Sequence, residues 1–224
     1  VLLAIVSLAG CSDNVDDSAL FVQNGKTVTR LLETDQNFSI YLHLLRQVRL
    51  SDKSSSNVAQ LLSARGNYTV FAPANDAMHH YLDSIYATPN FDYMQTDDSV
   101  ARILVTSSVI DCGDDEAYKT SMFTEGAIEK TNFADRYLTV SFDTLDGRAV
   151  VKINKDATVI SPDIEATNGY IHVVDRSLAL SNAYLPQIIG EAGNLNIFSM
   201  LLYQTGWDTQ LQQYRDEEYE KRTN

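Results

Sequence analysis

Any chemistry in this chain has to be carried by four histidines, two cysteines and a large excess of carboxylates. His79 and His80 are adjacent, and neighbours on a helix point in different directions, so they make a poor chelate even with His43 as a third ligand. No Cys or Glu stands at a zinc spacing. The run Asp111-Cys-Gly-Asp-Asp-Glu116 gathers carboxylates but lacks the alternating ligands and central glycine of a calcium loop, and it reads as a solvated loop. Those same carboxylates are expected to raise the thiol pKa of Cys112 and blunt its nucleophilicity. The Gly-x-Ser-x-Gly elbow and the glycine patterns of dinucleotide and phosphate loops are missing, and no spacing singles out a general acid and base. The sequence therefore reads as non-enzymatic, with no cofactor and no metal expected.

The elements that would position such residues belong to an ordinary globular chain. Its 224 residues are 44% hydrophobic and 21% charged, enough for one full core and part of another. Thirty acidic residues against seventeen basic ones leave a net charge of −13, which repels phosphate backbones, so no nucleic-acid partner is expected.

The first nine residues, Val1 to Ala9, form an apolar run far short of the ~20 needed to cross a bilayer. They read as the h-region of a secretory signal, with the chain starting inside it. The run ends in Leu8-Ala9-Gly10-Cys11, which resembles the lipobox of bacterial lipoproteins. Residues 1–11 are thus expected to be a signal remnant and Cys11 the lipidated first residue of the mature protein, giving a membrane anchor without a span. Ser12-Asp-Asn-Val-Asp16-Asp17-Ser18 follows within an acidic tether, residues 12–25. It resembles the export signal of Bacteroidetes surface lipoproteins, which implies an outer-membrane, surface-exposed location. With Cys11 lipidated, Cys112 has no disulfide partner.

A domain-length repeat organises the remainder. Asn37 to Gln47 aligns without gaps on Asn194 to Gln204, with identities at Asn37, Ile40, Leu44, Leu45 and Gln47. The same offset pairs Val28, Leu31 and Leu32 with Leu185, Ile188 and Ile189. A first domain is expected over 26–180 and the truncated start of a second over 183–224, with Trp207 in the core of that second copy.

Within the first copy, Phe38, Tyr41, Leu42, Leu45 and Val48 recur at helical spacing, and Val58, Leu61 and Leu62 follow the cap Ser54-Ser-Ser-Asn57. Tyr68 to Ala72 reads as a buried strand stopped by Pro73. Asn75 or Asp76 is expected to cap a helix running to about Tyr86, and Thr96-Asp-Asp-Ser99 another running to about Ile110. Tyr137 to Phe142 and Ala149 to Asn154 read as a hairpin about Asp146-Gly147, and Asn168-Gly169 turns into the strand Tyr170 to Val174. Helices first and strands later predict an α+β domain with a largely antiparallel sheet. On the last strand His172 reads as a hydrogen-bonded residue rather than a ligand.

Two stretches carry a family resemblance. Tyr68-Thr69-Val70-Phe71-Ala72-Pro73-Ala-Asn75-Asp76-Ala77 resembles the first signature of the fasciclin domain. Gly169-Tyr-Ile171-His172-Val173-Val-Asp175-Arg-Ser-Leu178 resembles the second. The resemblance implies a β-wedge of two mainly antiparallel sheets surrounded by helices, and a family that is mostly extracellular and tandem and acts in adhesion or partner binding. Many members carry a receptor-contacting Tyr-His pair between the signatures. Ser107 and Ser108 occupy those positions here, so integrin-type binding is not carried over.

Two functions follow as expectations. The first is a surface lipoprotein that binds an extracellular or envelope protein or glycan in adhesion or assembly. The alternative is an accessory ligand-capture subunit of an outer-membrane glycan or nutrient uptake system, for which exposed tyrosines would supply stacking platforms.

Overall fold

A computed structural model describes residues 25–51, 53–145, 147–178, 186, 189–190 and 195–211. Cys11 and its apolar leader, nearly all of the acidic tether, Asp146 and the charged tail from Tyr214 lie outside the described residues. The first compact unit ends at Leu178.

That unit opens with helices α1 (Val28–Thr34), α2 (Ser39–Gln47) and α3 (Val58–Leu61). Sequence periodicity points to the second and third of these. In α2 the residues Ile40, Tyr41, Leu44 and Leu45 are fully buried, at the spacing that puts them on one face. Asn57 caps α3 through a reciprocal capping box with Gln60. Strand β1 (Tyr68–Pro73) is buried along its whole length, as a continuous apolar run between two packed layers must be. Helix α4 (Asn75–Ile85) then leads by a loop to α5 (Asp98–Ser108).

Helix α5 stops earlier than its sequence pattern predicts. Val109, Ile110 and Asp111 leave it as β2 (Val109–Asp111), antiparallel to β1. Two β-branched residues beside an existing strand favour the ladder over another helical turn. The remaining strands are β3 (Gly126–Thr131), β4 (Tyr137–Leu145), β5 (Arg148–Ile153), β6 (Ala157–Ala166) and β7 (Gly169–Val174).

The seven strands lie in the order β2-β1-β7-β6-β5-β4-β3. Five of the six neighbour pairs are antiparallel, but β1 and β7, the two signature strands, pair in parallel from Tyr68↔Gly169 to Pro73↔Val174. The wedge is therefore mixed. Its two halves are joined through β6, whose first residues pair with β5 and whose later ones pair with β7 across two register shifts. A bulged strand bends, and Pro162 sits where no ladder donor is required. The far edges meet again at the bridge Ile110↔Asn132. One apolar cluster accordingly takes a side chain from every strand: Phe71, Ile110, Ile128, Leu138, Ile153, Val159 and Val174. Helices α1, α4 and α5 pack on the other side of β1 and β7.

A second unit starts at residue 179. In it Asn196–Thr205 and Trp207–Gln210 are helical, separated by Gly206 in the left-handed region at φ 72°. Trp207 is 56% exposed. Ile197, Phe198 and Leu201 are also exposed.

Candidate functional site

The two signatures converge on one short segment. Residues 117–123 cross the cluster-facing side of the β1–β7 pair as a strap, with Ala117 and Phe123 buried in the strand cluster. Thr69 and Phe71 share a face of β1, and Tyr170, His172 and Val174 share the matching face of β7, because side chains alternate along a strand. Both faces point into that cluster.

Thr69 Oγ1 accepts the Tyr118 N–H at 2.8 Å. His172, with no side-chain exposure, donates from Nε2 to the Tyr118 carbonyl at 2.9 Å and accepts the Asp163 N–H on Nδ1 at 3.2 Å. That last donor fixes the tautomer: Nδ1 carries the lone pair and Nε2 the proton. The ring stacks on Phe71 at 5.3 Å and meets Phe123 at 5.4 Å. Burial holds the imidazole pKa below its usual value, opposed by the Tyr118 carbonyl and the Asp163 charge.

Asp163 completes the clamp. It lies in the bulged part of β6 at φ 56°, and its Oδ1 accepts the Thr120 N–H at 2.7 Å while its second oxygen accepts the Thr120 hydroxyl. Lys119, paired with Glu116, sits 5.0 Å over the Tyr170 ring. Sequence reasoning missed Asp163 and Thr120, since a strap that is distant in sequence from β6 has no local pattern.

The other signature residues have structural places. Val70, Ala72, Ile171 and Val173 point to the helical side. Pro73 pairs with Val174 at the strand end. Gly169 takes φ 144°, and a Cβ there would lie 1.9 Å from the Tyr68 carbonyl oxygen, so no side chain fits. Asp175 Oδ1 accepts the Thr158 N–H at 2.6 Å and extends the β6–β7 ladder.

Asn75 departs from expectation. Its side chain does not cap its own helix, whose N-cap is Ala74. Instead Asn75 Oδ1 accepts the Ile40 N–H at 3.1 Å, and its amide donates to the Gln36 carbonyl and the Ser39 hydroxyl. It serves an orphan donor at the start of α2, across the fold. Asp76 stands exposed in the first turn of α4, where its charge favours the helix dipole. The cap expected at 96–99 is likewise different: α5 starts after Asp97 without a side-chain cap.

Ser107 and Ser108 are 1% exposed, and Ser108 Oγ hydrogen-bonds the Tyr41 hydroxyl at 2.7 Å. These positions serve packing. Cys112 is fully buried, and its thiol is pushed up chiefly by burial, with Asp111 a smaller cause than sequence proximity implies. Among the described residues no group of His, Cys, Asp or Glu could hold a metal ion, and no helix is long and apolar enough to cross a membrane.

Residues 36–180 match the model of the fasciclin domain. The chain belongs to the fasciclin-domain family. It is 32% identical over 134 residues to Protein sll1483 of Synechocystis sp., an alignment covering 54% of this chain and 60% of that protein. It is 31% identical over 129 residues to a second Synechocystis protein, sll1735, covering 57% and 84% respectively. Among solved structures it resembles a FAS1 domain pair from the insect cell adhesion molecule fasciclin I, with a TM-score of 0.50, 21% identity and coverage of 68% of this chain and 50% of that one. The chain thus spans about 60% of the first relative's length and half of the domain pair's. Fasciclin domains are non-enzymatic modules of adhesion and protein interaction.

Proposed function

We propose that this chain is a cell-surface adhesion or interaction protein, lipid-anchored to the outer membrane through Cys11, that binds a protein partner through the outer face of β4–β6. The observation that carries the reading is a set of exposed apolar side chains standing among the polar residues of that face. Register puts Tyr137 and Leu145 of β4, Val150 of β5 and Ile160 of β6 on the side away from the core. Tyr137, Leu145 and Ile160 are 62%, 58% and 57% exposed. Lys152 and Asp143 pair beside them at 3.0 Å. A solvated antiparallel sheet face is ordinarily polar, and apolar surface bordered by charge suits protein contact.

The ligand-capture alternative draws on the same face, because the exposed ring of Tyr137 could stack on a sugar. The tandem organisation is also part of the proposal: Ile197, Phe198 and Leu201 stand at the repeat positions of buried Ile40, Tyr41 and Leu44, yet are exposed. The test is to screen the lipid-free chain against extracellular matrix proteins and a glycan array, alongside Leu145→Asp, Ile160→Asp and Tyr137→Ala. Protein binding lost in the two Asp variants supports adhesion. Glycan binding lost only in Tyr137→Ala supports ligand capture, and binding untouched by all three overturns this face as the site. Palmitate labelling in a lipoprotein-processing host that survives Cys11→Ser would remove the anchor.

A further inference from the structure

We propose that His172, Asp163 and Thr120 form a proton-operated latch: a proton taken up by the buried imidazole moves the Asp163 carboxylate from Thr120 to His172 and frees the strap 117–123.

The geometry holds two alternatives for one carboxylate. In the neutral state Asp163 accepts from Thr120 through both oxygens, while His172 Nδ1 accepts the Asp163 N–H. Asp163 Oδ1 already lies 3.8 Å from Nδ1. A proton from solvent can bind His172 only at Nδ1, since Nε2 carries its hydrogen toward Tyr118. Nδ1 then becomes a donor facing the Asp163 N–H, a repulsive pair of donors. The nearest acceptor that also cancels the new charge is Asp163 Oδ1. The bonds from Thr120 draw on the charge of the carboxylate alone, whereas a bond from the imidazolium carries charge on both partners and cancels the one held by the fully buried ring, so it outweighs them. Moving the carboxylate there leaves the Thr120 N–H and hydroxyl without their acceptor and loosens the middle of the strap.

The surroundings leave this choice to Asp163. On β1, Thr69 and Phe71 carry no charge. Cys112, at the end of β2, is buried with its thiol pKa raised. On the strap, Tyr118 is uncharged, and Lys119 is occupied by Glu116 and the Tyr170 ring on β7. On β3, Lys130 is paired with Asp115. Asp163 is the charged group that acts on the imidazole. Because desolvation opposes protonation, the latch operates below the usual imidazole range and stays shut at neutral pH.

Amide hydrogen exchange on the full chain, corrected for intrinsic rates and followed from about pH 7.5 to about pH 4.5, tests this. The protection of the Thr120 amide is expected to fall about tenfold relative to the Val173 amide in β7 as the His172 ring titrates by NMR. Asp163→Asn keeps an acceptor for Thr120 and tolerates the left-handed backbone but has no charge to offer His172. In that variant the ratio of the two protections is expected to stay flat with pH. The proposal is overturned if His172 titrates while Thr120 stays protected in the wild type, if both amides lose protection together, or if Asp163→Asn releases the strap as readily as the wild type.

Discussion

Thr69 and His172 hold the two backbone groups of a single residue, the first accepting the Tyr118 N–H and the second donating to the Tyr118 carbonyl. Each comes from a different signature motif, and the parallel pairing of β1 with β7 sets them side by side. The signature side chains facing the cluster are thus spent on fastening the strap. The surface proposed for partner binding, the outer face of β4–β6, lies outside both motifs.

Replacing Thr69 by Val keeps shape and removes the acceptor. The partly buried Tyr118 N–H is then unsatisfied, at a cost of about 1–3 kcal/mol. Urea unfolding should show the midpoint falling at unchanged slope, with the extra loss of amide protection centred on Tyr118. An unchanged midpoint would mean that water replaces the hydroxyl without cost.

Gly169→Ala meets two obstacles together: φ 144° and a Cβ only 1.9 Å from the Tyr68 carbonyl oxygen. Relief requires β1 and β7 to part at the start of their ladder, where the Tyr68 N–H also bonds the Asn168 carbonyl. The loss should reach about 3 kcal/mol or more and appear as poor soluble yield or a sharply lowered Tm. A Tm near the wild-type value would show that the ladder end can shift freely.

Stability against pH separates His172 from the carboxylates. Its folded pKa lies below the ordinary 6.5, so the folded state favours the neutral ring. That contribution is whole above 6.5 and declines as pH falls from there through the folded value, because the unfolded chain binds the proton first. Glu33 and Asp143, held low by hydrogen bonds from Arg30 and Lys152, lose their contributions only as pH drops below their ordinary 4.5 and 3.8. Both are solvent-exposed, so their share is small. Chemical denaturation between about pH 7.5 and pH 5 should show stability falling in the wild type and nearly level in His172→Gln. Equal slopes would place the proton uptake elsewhere.

Much of this fold is legible locally. The buried stripe of α2, the cap ending at Asn57 and the strand Tyr68 to Ala72 follow from spacing and residue type alone. What escapes is whatever depends on two distant segments. Asn75 has the composition of a local cap, yet it serves α2, since tertiary packing brings the Ile40 N–H to it. The bulge of β6 and the grip of Asp163 on Thr120 arise from closing the sheet, which no short window of sequence encodes. Cys112 shows the converse error: its neighbours in sequence are acidic, but its environment in space is apolar.

Asn168 is the strongest case of a residue whose role is larger than its motif. In sequence it is the first half of an Asn-Gly turn. In the fold its Oδ1 accepts the Val28 N–H at 2.9 Å, and its amide donates to the Leu62 and Ala64 carbonyls, each at 2.8 Å. One side chain thereby satisfies the start of α1 and two carbonyls following α3, at a position only 3% exposed. Asn168→Ala strips the Val28 N–H and the Ala64 carbonyl of this partner and leaves the Leu62 carbonyl only the Thr29 N–H at 3.4 Å, so it should cost about 3 kcal/mol, given roughly 1–3 kcal/mol for each buried group left unpaired. Asn168→Asp tests the orientation as well as the loss. It keeps the acceptor for Val28 but sets a carboxylate oxygen against two carbonyl oxygens, so at neutral pH it should be at least as damaging as Ala. Acidification should then help it, because the protonated acid regains one donor. Denaturation midpoints for both variants at neutral and mildly acidic pH check this: recovery confined to Asn168→Asp is the expected outcome, and equal behaviour would show that the two carbonyls do not depend on this amide.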